Sequence, residues 1–294
     1  MESTQAVLIT AYKNAKQLNH LIEFFPEEKV NIYIHIDRKN SHIESQVKQK
    51  SNVFKFSTFH INWGSYNHTR AILFLCNIAL ENVKNKYFHL ISGEDFPCAK
   101  DFSTFTKGFD FNKNYLNFFP LPYSGWSGNG GLDRINEFHS LDIFDIKNPE
   151  GFKLMSEFEK SKIINRNIFF TRNDIREEFH LNLYGGSTWW SLGREILEYI
   201  TDFTTENPVF FNRFRHTFVS EELYFQTVLL NSKFSSNIEN ENLRYIDWNS
   251  RNNSGVPCYL DETDFDKLYN GDKLFARKLS LDIILKYQNH CSTL

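Results

Sequence analysis

Two adjacent carboxylates, Glu221 and Glu222, follow Ser220 in the run Phe218-Val-Ser-Glu-Glu-Leu-Tyr-Phe-Gln-Thr-Val-Leu-Leu-Asn-Ser232. Serine is a good N-cap, so the pattern predicts an amphipathic helix opened by two acids. Upstream lies Tyr184-Gly-Gly-Ser-Thr-Trp-Trp190, read as a glycine turn carrying two indoles. A carboxylate at the start of a packed helix, beside a flat aromatic surface, suits the removal of a proton from a sugar hydroxyl. Acids in a first helical turn also complement the helix dipole with no chemistry at all. Helical spacing puts Glu221 near Phe225 and Val228, and Glu222 near Phe225 and Leu229. Both border the apolar face, so spacing does not choose between them. Trp189 and Trp190 read first as core packing; adjacent residues point different ways, which leaves room for one in the core and the other exposed.

Transfer from a sugar nucleotide also needs positive charge for the departing diphosphate. A divalent cation on a D-x-D at a strand end is one solution. Here that place holds Glu94-Asp95, and the D-x-D of the chain, Asp264-Phe-Asp266, falls at a helix-capping position. Fixed cations are the other solution. Lys273, Arg277 and Lys278 form such a cluster, with Arg251 nearby in sequence. No metal is therefore expected. The histidines show no H-E-x-x-H or paired ligand spacing, and His35, His68, His89 and His139 read as structural.

These residues need a scaffold. Ala6–Tyr12, Val30–Asp37, Val53–Thr58 and Tyr87–Gly93 read as short strands, with helices at about 15–25 and 66–82 between them. Alternating strands and helices imply βαβ units and a parallel sheet. In such sheets ligands sit beyond the carboxyl ends of the strands. Polar groups cluster at three of those ends: Tyr12-Lys13-Asn14, His35 to Lys39 with Asp37 and Arg38, and Gly93-Glu94-Asp95. Together they predict a nucleotide site. Neither G-x-G-x-x-G after the first strand nor G-x-x-x-x-G-K-[ST] occurs. The region 110–185 is less regular, and its loop Ser124-Gly-Trp-Ser-Gly-Asn-Gly-Gly131 reads equally as a lid or a plain surface loop.

At 294 residues, 41% hydrophobic and 16% aromatic, the chain can bury a large core. A net charge of −3 with no long basic run argues against nucleic acid as a partner. No run approaches the ~20 apolar residues of a membrane span, and no signal peptide is read at the N-terminus. Cys76, Cys98, Cys258 and Cys291 lie far apart and suit reduced thiols in a cytosolic protein.

The chain resembles the core-2/I-branching β-1,6-N-acetylglucosaminyltransferases and protein O-xylosyltransferases, glycosyltransferase family 14. The resemblance rests on Ile34-His-Ile-Asp-Arg-Lys39, Trp63-Gly-Ser-Tyr66 with Arg70, and Leu90-Ile-Ser-Gly-Glu-Asp-Phe-Pro97. It continues through Gly186-Ser-Thr-Trp-Trp-Ser-Leu-Gly-Arg-Glu195, Ser220-Glu-Glu222 and Leu274-Phe-Ala-Arg-Lys278. It implies an α/β fold of GT-A, Rossmann-like type: a mostly parallel sheet flanked by helices in one domain over 1–294. The expected division is a nucleotide-binding half over 1–100 and an acceptor-binding, catalytic half over 110–294. It implies inverting transfer from a UDP-sugar, with Glu222 as general base and Lys278 on the diphosphate. Metal independence is implied by the branching enzymes. The family's upstream Arg has no clear counterpart, and Arg251 is the candidate.

The site expected is thus Glu222 as base; Asp37, Arg38, Arg251, Arg277 and Lys278 on the nucleotide; and Glu94, Asp95, Ser187 and Trp189 on the sugars. The donor expected is UDP-N-acetylglucosamine, with UDP-xylose or UDP-galactose as rivals and a non-catalytic glycan-binding protein as the rival of another class. The acceptor expected is a glycan or lipid-linked oligosaccharide in bacterial surface polysaccharide synthesis. The place expected is the cytoplasm, or peripherally the inner face of the membrane.

Overall fold

The computed structural model describes residues 4–161, 172–251 and 255–293. Strands β1 (Thr4–Ala11), β2 (Val30–Ile36), β3 (Val53–Phe56) and β4 (Asn85–Ser92) pair in parallel in the spatial order β3-β2-β1-β4. Helices α1 (Ala15–Phe24), α2 (Tyr66–Glu81), α3 (Arg194–Glu206), α4 (Tyr224–Leu230) and α5 (Leu281–Thr293) flank the sheet. α1 and α5 enclose one core with Val7, Ile9, Ile32 and Ile34; α2, α3 and α4 enclose the other with Leu8, Phe88 and Leu90. Cover on both faces explains why β1, β2 and β4 are near-continuous apolar runs rather than alternating ones.

The chain then leaves the parallel pattern. Strand β5 (Phe96–Pro97) departs to a small second sheet, and β6 (Asn114–Pro120) returns to the main one. Strand β7 (Tyr184–Gly193) runs antiparallel to both β4 and β6, and β8 (Ile238–Glu239) closes the edge parallel to β6. The seven-stranded order is β3-β2-β1-β4-β7-β6-β8. The second sheet places β10 (Phe275–Arg277) between β5 and β9 (Arg244–Ile246). The predicted α/β, mostly parallel, helix-flanked domain is what the chain builds, and its main sheet draws on residues both before 100 and after 110.

Two local expectations are corrected. Tyr184–Trp190 is part of strand β7, not a turn. Its glycines serve close approach: a Cβ on Gly186 would collide with the Asn117 carbonyl oxygen, where β6 shifts register between Leu116 and Phe118. The acids also do not open an α-helix. Ser220–Glu222 is one 3₁₀ turn, and α4 begins only at Tyr224. Ser220 lies inside the turn, whose cap is Val219, and its Oγ lies 2.7 Å from Thr69 Oγ1.

Candidate active site

The 3₁₀ turn is held from α2. Gly64, just before that helix, adopts φ +75, and its carbonyl accepts a 2.8 Å bond from Val219 N. A Cβ at Gly64 would stand 2.7 Å from the Phe218 ring. Val219 itself sits at φ 52, a left-handed conformation that costs a β-branched residue roughly 1–3 kcal/mol. The surrounding contacts hold it there and so aim the turn that follows, with Glu221 and Glu222 in it.

Those two carboxylates have different fates. Glu221 is buried, with its Oε1 2.8 Å from His68 Nδ1, and His68 Nε2 lies 3.2 Å from Thr10 Oγ1. Glu222 is less enclosed, its side chain 24% exposed, and its Oε2 accepts a 2.9 Å bond from Arg134 Nη1. Burial raises the Glu222 pKa to about 7; the Glu221 charge adds to this, and Arg134 and Arg277 act against it. A carboxyl poised near neutrality is suited to accepting a proton from a hydroxyl. Arg134 stacks 3.5 Å over the Trp126 ring, and its carbonyl oxygen accepts from Phe218 N, so it is fixed from two sides.

A cationic wall faces the acids. Arg277, at the end of β10, lies 4.3 Å over the Trp189 ring, with its Nε 3.3 Å from Asp95 Oδ1. Asp95 is fully enclosed, and its other oxygen accepts from Ser92 N. Burial pushes the Asp95 pKa up, against Arg277. Lys278 is half-buried; burial depresses its pKa, Glu94 opposes this, and Arg277, Lys13 and Lys147 reinforce it. Glu94 accepts from Tyr259 Oη and sits 3.0 Å from Lys13 Nζ. Burial favours its neutral form, but the bonds from Tyr259 and Lys13 outweigh that and hold its pKa below the usual range.

The structure thus brings together Glu222, Arg277, Lys278, Glu94, Asp95 and Trp189 at the carboxyl edge of β1 and β4. Several assigned roles change. Asp95 is too enclosed to touch a sugar and instead orients Arg277. Trp189 is 6% exposed and lies under Arg277, so it offers no open stacking face; Trp190 is core, as expected of one of the pair. Ser187 is half-buried in β7, its Oγ accepting from Trp189 N at 3.3 Å. Asp37 lies at the next strand end, buried, with Oδ1 accepting from Lys39 N and Ile61 N at 3.1 Å each. That leaves it bracing a loop, while Arg38 beside it is exposed. Arg251 does not join the wall. It forms a two-pronged pair with buried Asp264 at 2.7 and 2.9 Å and contacts Asp247. Asp264 also accepts from Asp261 N in a capping box, the role its position predicted.

His35, His89 and His139 are structural as expected, but His68 supports the acid turn. Sequence reasoning missed Arg134 and Trp126. The one signal was the glycine loop that carries Trp126; in the structure its Gly131 packs on that indole, and from β7 a Cβ at Gly185 would meet the ring at 2.8 Å. Among the described residues no three His, Cys, Asp or Glu side chains converge as a metal site. Among them, too, no helix is long and apolar enough to cross a membrane.

Comparison with known proteins follows the same lines. The family description "Core-2/I-Branching enzyme" matches residues 6–269. Human xylosyltransferase 1 is 23% identical over 264 residues, covering 83% of this chain and 24% of the relative. Dog xylosyltransferase 2 is 24% identical over 261 residues, covering 83% of this chain and 26% of the relative. The chain therefore spans about a quarter of the length of these relatives. A solved glycosyltransferase involved in the glycosylation of the major capsid of PBCV-1 is 9% identical and overlaps 99% of this chain and 100% of its own, with a TM-score of 0.35.

Proposed function

Because the chain belongs to the Core-2/I-branching enzyme family, we propose that it is an inverting glycosyltransferase that moves a sugar from a UDP-sugar to a hydroxyl of a glycan. The observation that carries this is Glu222: a partly exposed carboxylate with a pKa near 7, held by Arg134 and facing a wall that contains Arg277 and Lys278. Glu222 takes the acceptor O–H proton. The freed oxygen bonds to the anomeric carbon, and the bond from that carbon to the diphosphate oxygen breaks with its electron pair on UDP. Lys278 and Arg277 offset the charge that develops there, so the step is proposed to need no metal. Base catalysis contributes ~10²–10⁴-fold.

The donor proposed is UDP-N-acetylglucosamine, and the acceptor a glycan or lipid-linked oligosaccharide of surface polysaccharide synthesis. A second reading, UDP-xylose as donor, is favoured by the xylosyltransferases among the relatives. Thermal unfolding with each of UDP-N-acetylglucosamine, UDP-xylose, UDP-galactose and UDP-glucose ranks the donors. UDP release with an oligosaccharide acceptor, with and without EDTA, tests turnover. Protection by none of the four, and no UDP release, would refute the transferase reading. Loss of turnover in EDTA, restored by Mn²⁺, would refute metal independence alone.

A further inference from the structure

We propose that Lys13 is a further phosphate-binding cation of the donor site, beside Lys278 and Arg277, and that Glu94 occupies the phosphate position in the free protein as an internal anion. This deepens the transferase reading and rests on it. Lys13 is the second residue past β1, and Glu94 the second past β4, and these strands are neighbours. Buried Gln17 of α1 fixes their spacing. Its Nε2 donates to Gly93 O at 3.1 Å and to Leu279 O at 2.9 Å, and Leu279 N donates to Glu94 O at 2.9 Å. The backbone beside Lys13, Glu94 and Lys278 is therefore stitched into one frame, and the loop bearing Tyr259 joins it through Leu260 N to Lys278 O at 2.9 Å.

On that frame the charge is unbalanced. Lys13 Nζ lies 3.0 Å from Glu94 Oε1 and 3.1 Å from Tyr259 Oη. Glu94 Oε2 accepts from Tyr12 Oη at 3.3 Å. The same carboxylate is the attractive charge at Lys278, where Lys13, Arg277 and Lys147 all repel. One carboxylate thus serves several cations, and the Arg277 charge is partly met by Asp95 beneath it. A diphosphate brings two or more negative charges and matches this surplus. Lys13 is able to move onto it, since its side chain is 45% exposed and its partner Tyr259 is exposed beside it, while Glu94 lies buried beneath. Glu94 accepts from an ammonium and two phenols, the kinds of donors that a phosphate oxygen also takes.

Calorimetric titration with UDP, uridine and inorganic pyrophosphate tests the assignment on wild type, Lys13→Met, Lys13→Arg and Glu94→Gln. Met keeps an unbranched apolar stem and removes the charge. Lys13→Met should weaken UDP and pyrophosphate roughly tenfold or more, as loss of a charge-assisted bond implies, and leave uridine within about twofold. Lys13→Arg should keep UDP within about threefold. Glu94→Gln should tighten UDP, since it removes a competing anion. Unchanged UDP affinity in Lys13→Met, or equal losses of UDP and uridine, overturns the role of Lys13. Weaker UDP binding in a Glu94→Gln protein with wild-type melting makes Glu94 a support rather than a stand-in and overturns that part. Wild type that binds neither UDP nor pyrophosphate refutes the donor site itself, a distinct outcome.

Discussion

Glu222→Gln changes chemistry and stability together, in directions that a merely structural acid would not share. In the folded protein burial lifts the Glu222 pKa from 4.5 to about 7, with Glu221 adding and Arg134 and Arg277 opposing. At 1.36 kcal/mol per pH unit that lift amounts to about 3 kcal/mol borne by the ionised form. The folded pKa exceeds the unfolded one, so the neutral acid is the form that favours folding. Its contribution is complete below pH 4.5 and is lost as the pH rises through 7. Glutamine stays neutral throughout, keeps the shape, and still accepts from Arg134. The variant should therefore match wild type in stability near pH 4.5 and exceed it by up to ~3 kcal/mol at pH 8. Transfer at pH 8 should fall ~10²–10⁴-fold, with UDP affinity near wild type. Urea unfolding at the two pH values, a transfer assay and UDP titration report all three quantities. Near-normal transfer would remove Glu222 as the base. A stability difference independent of pH would mean that its carboxyl is not under the strain described.

Arg134→Gln removes an opposing positive charge, so the acid limb of kcat/KM should move to higher pH; Glu221→Gln should move it lower, and limbs that stay in place would break the coupling to Glu222. Lys278→Ala should weaken UDP more than uridine, and equal losses would place Lys278 away from the diphosphate. Trp189→Ala should cost ~3–5 kcal/mol of stability, as for a buried indole, and should also weaken UDP, because Arg277 rests on that ring. A raised acceptor KM with normal UDP affinity would instead restore Trp189 as a sugar platform.

The sheet was legible because its strands are short apolar runs separated by helical stretches. β1, β2 and β4 are apolar runs ended by polar clusters, and a run buried on both faces reads the same in sequence and in space. The strand β7 was not legible as one. Its Gly185-Gly186 pair and two tryptophans resemble a turn locally, and only the Trp126 ring and the β6 irregularity at Asn117 explain why Cβ atoms are excluded at those two glycines. The acid turn failed for a similar reason. Ser-Glu-Glu is good N-cap chemistry, but Val219 sits in a left-handed conformation with its N–H bonded to Gly64 O, a contact far away in sequence.

The choice between Glu221 and Glu222 shows what sequence spacing lacks. Both acids border one apolar stripe, and their energies differ only through partners from other elements. His68 at the start of α2 takes Glu221, and Arg134 from the irregular middle takes Glu222. The segment Trp63-Gly-Ser-Tyr66 and the segment Ser220-Glu-Glu222 are distant in the chain yet joined by Gly64 O to Val219 N and by Thr69 to Ser220. A residue such as Arg134 lies in no such segment. Its role arises from a stack on Trp126 and one bond to a carboxylate, neither of which leaves a periodic trace. Arg251 is the converse: charge and position in sequence recommended it for phosphate, and Asp247 with buried Asp264 satisfied that charge first. A cation is available to a ligand only to the extent that the fold has not already paired it, and that separates Lys278 from Arg251.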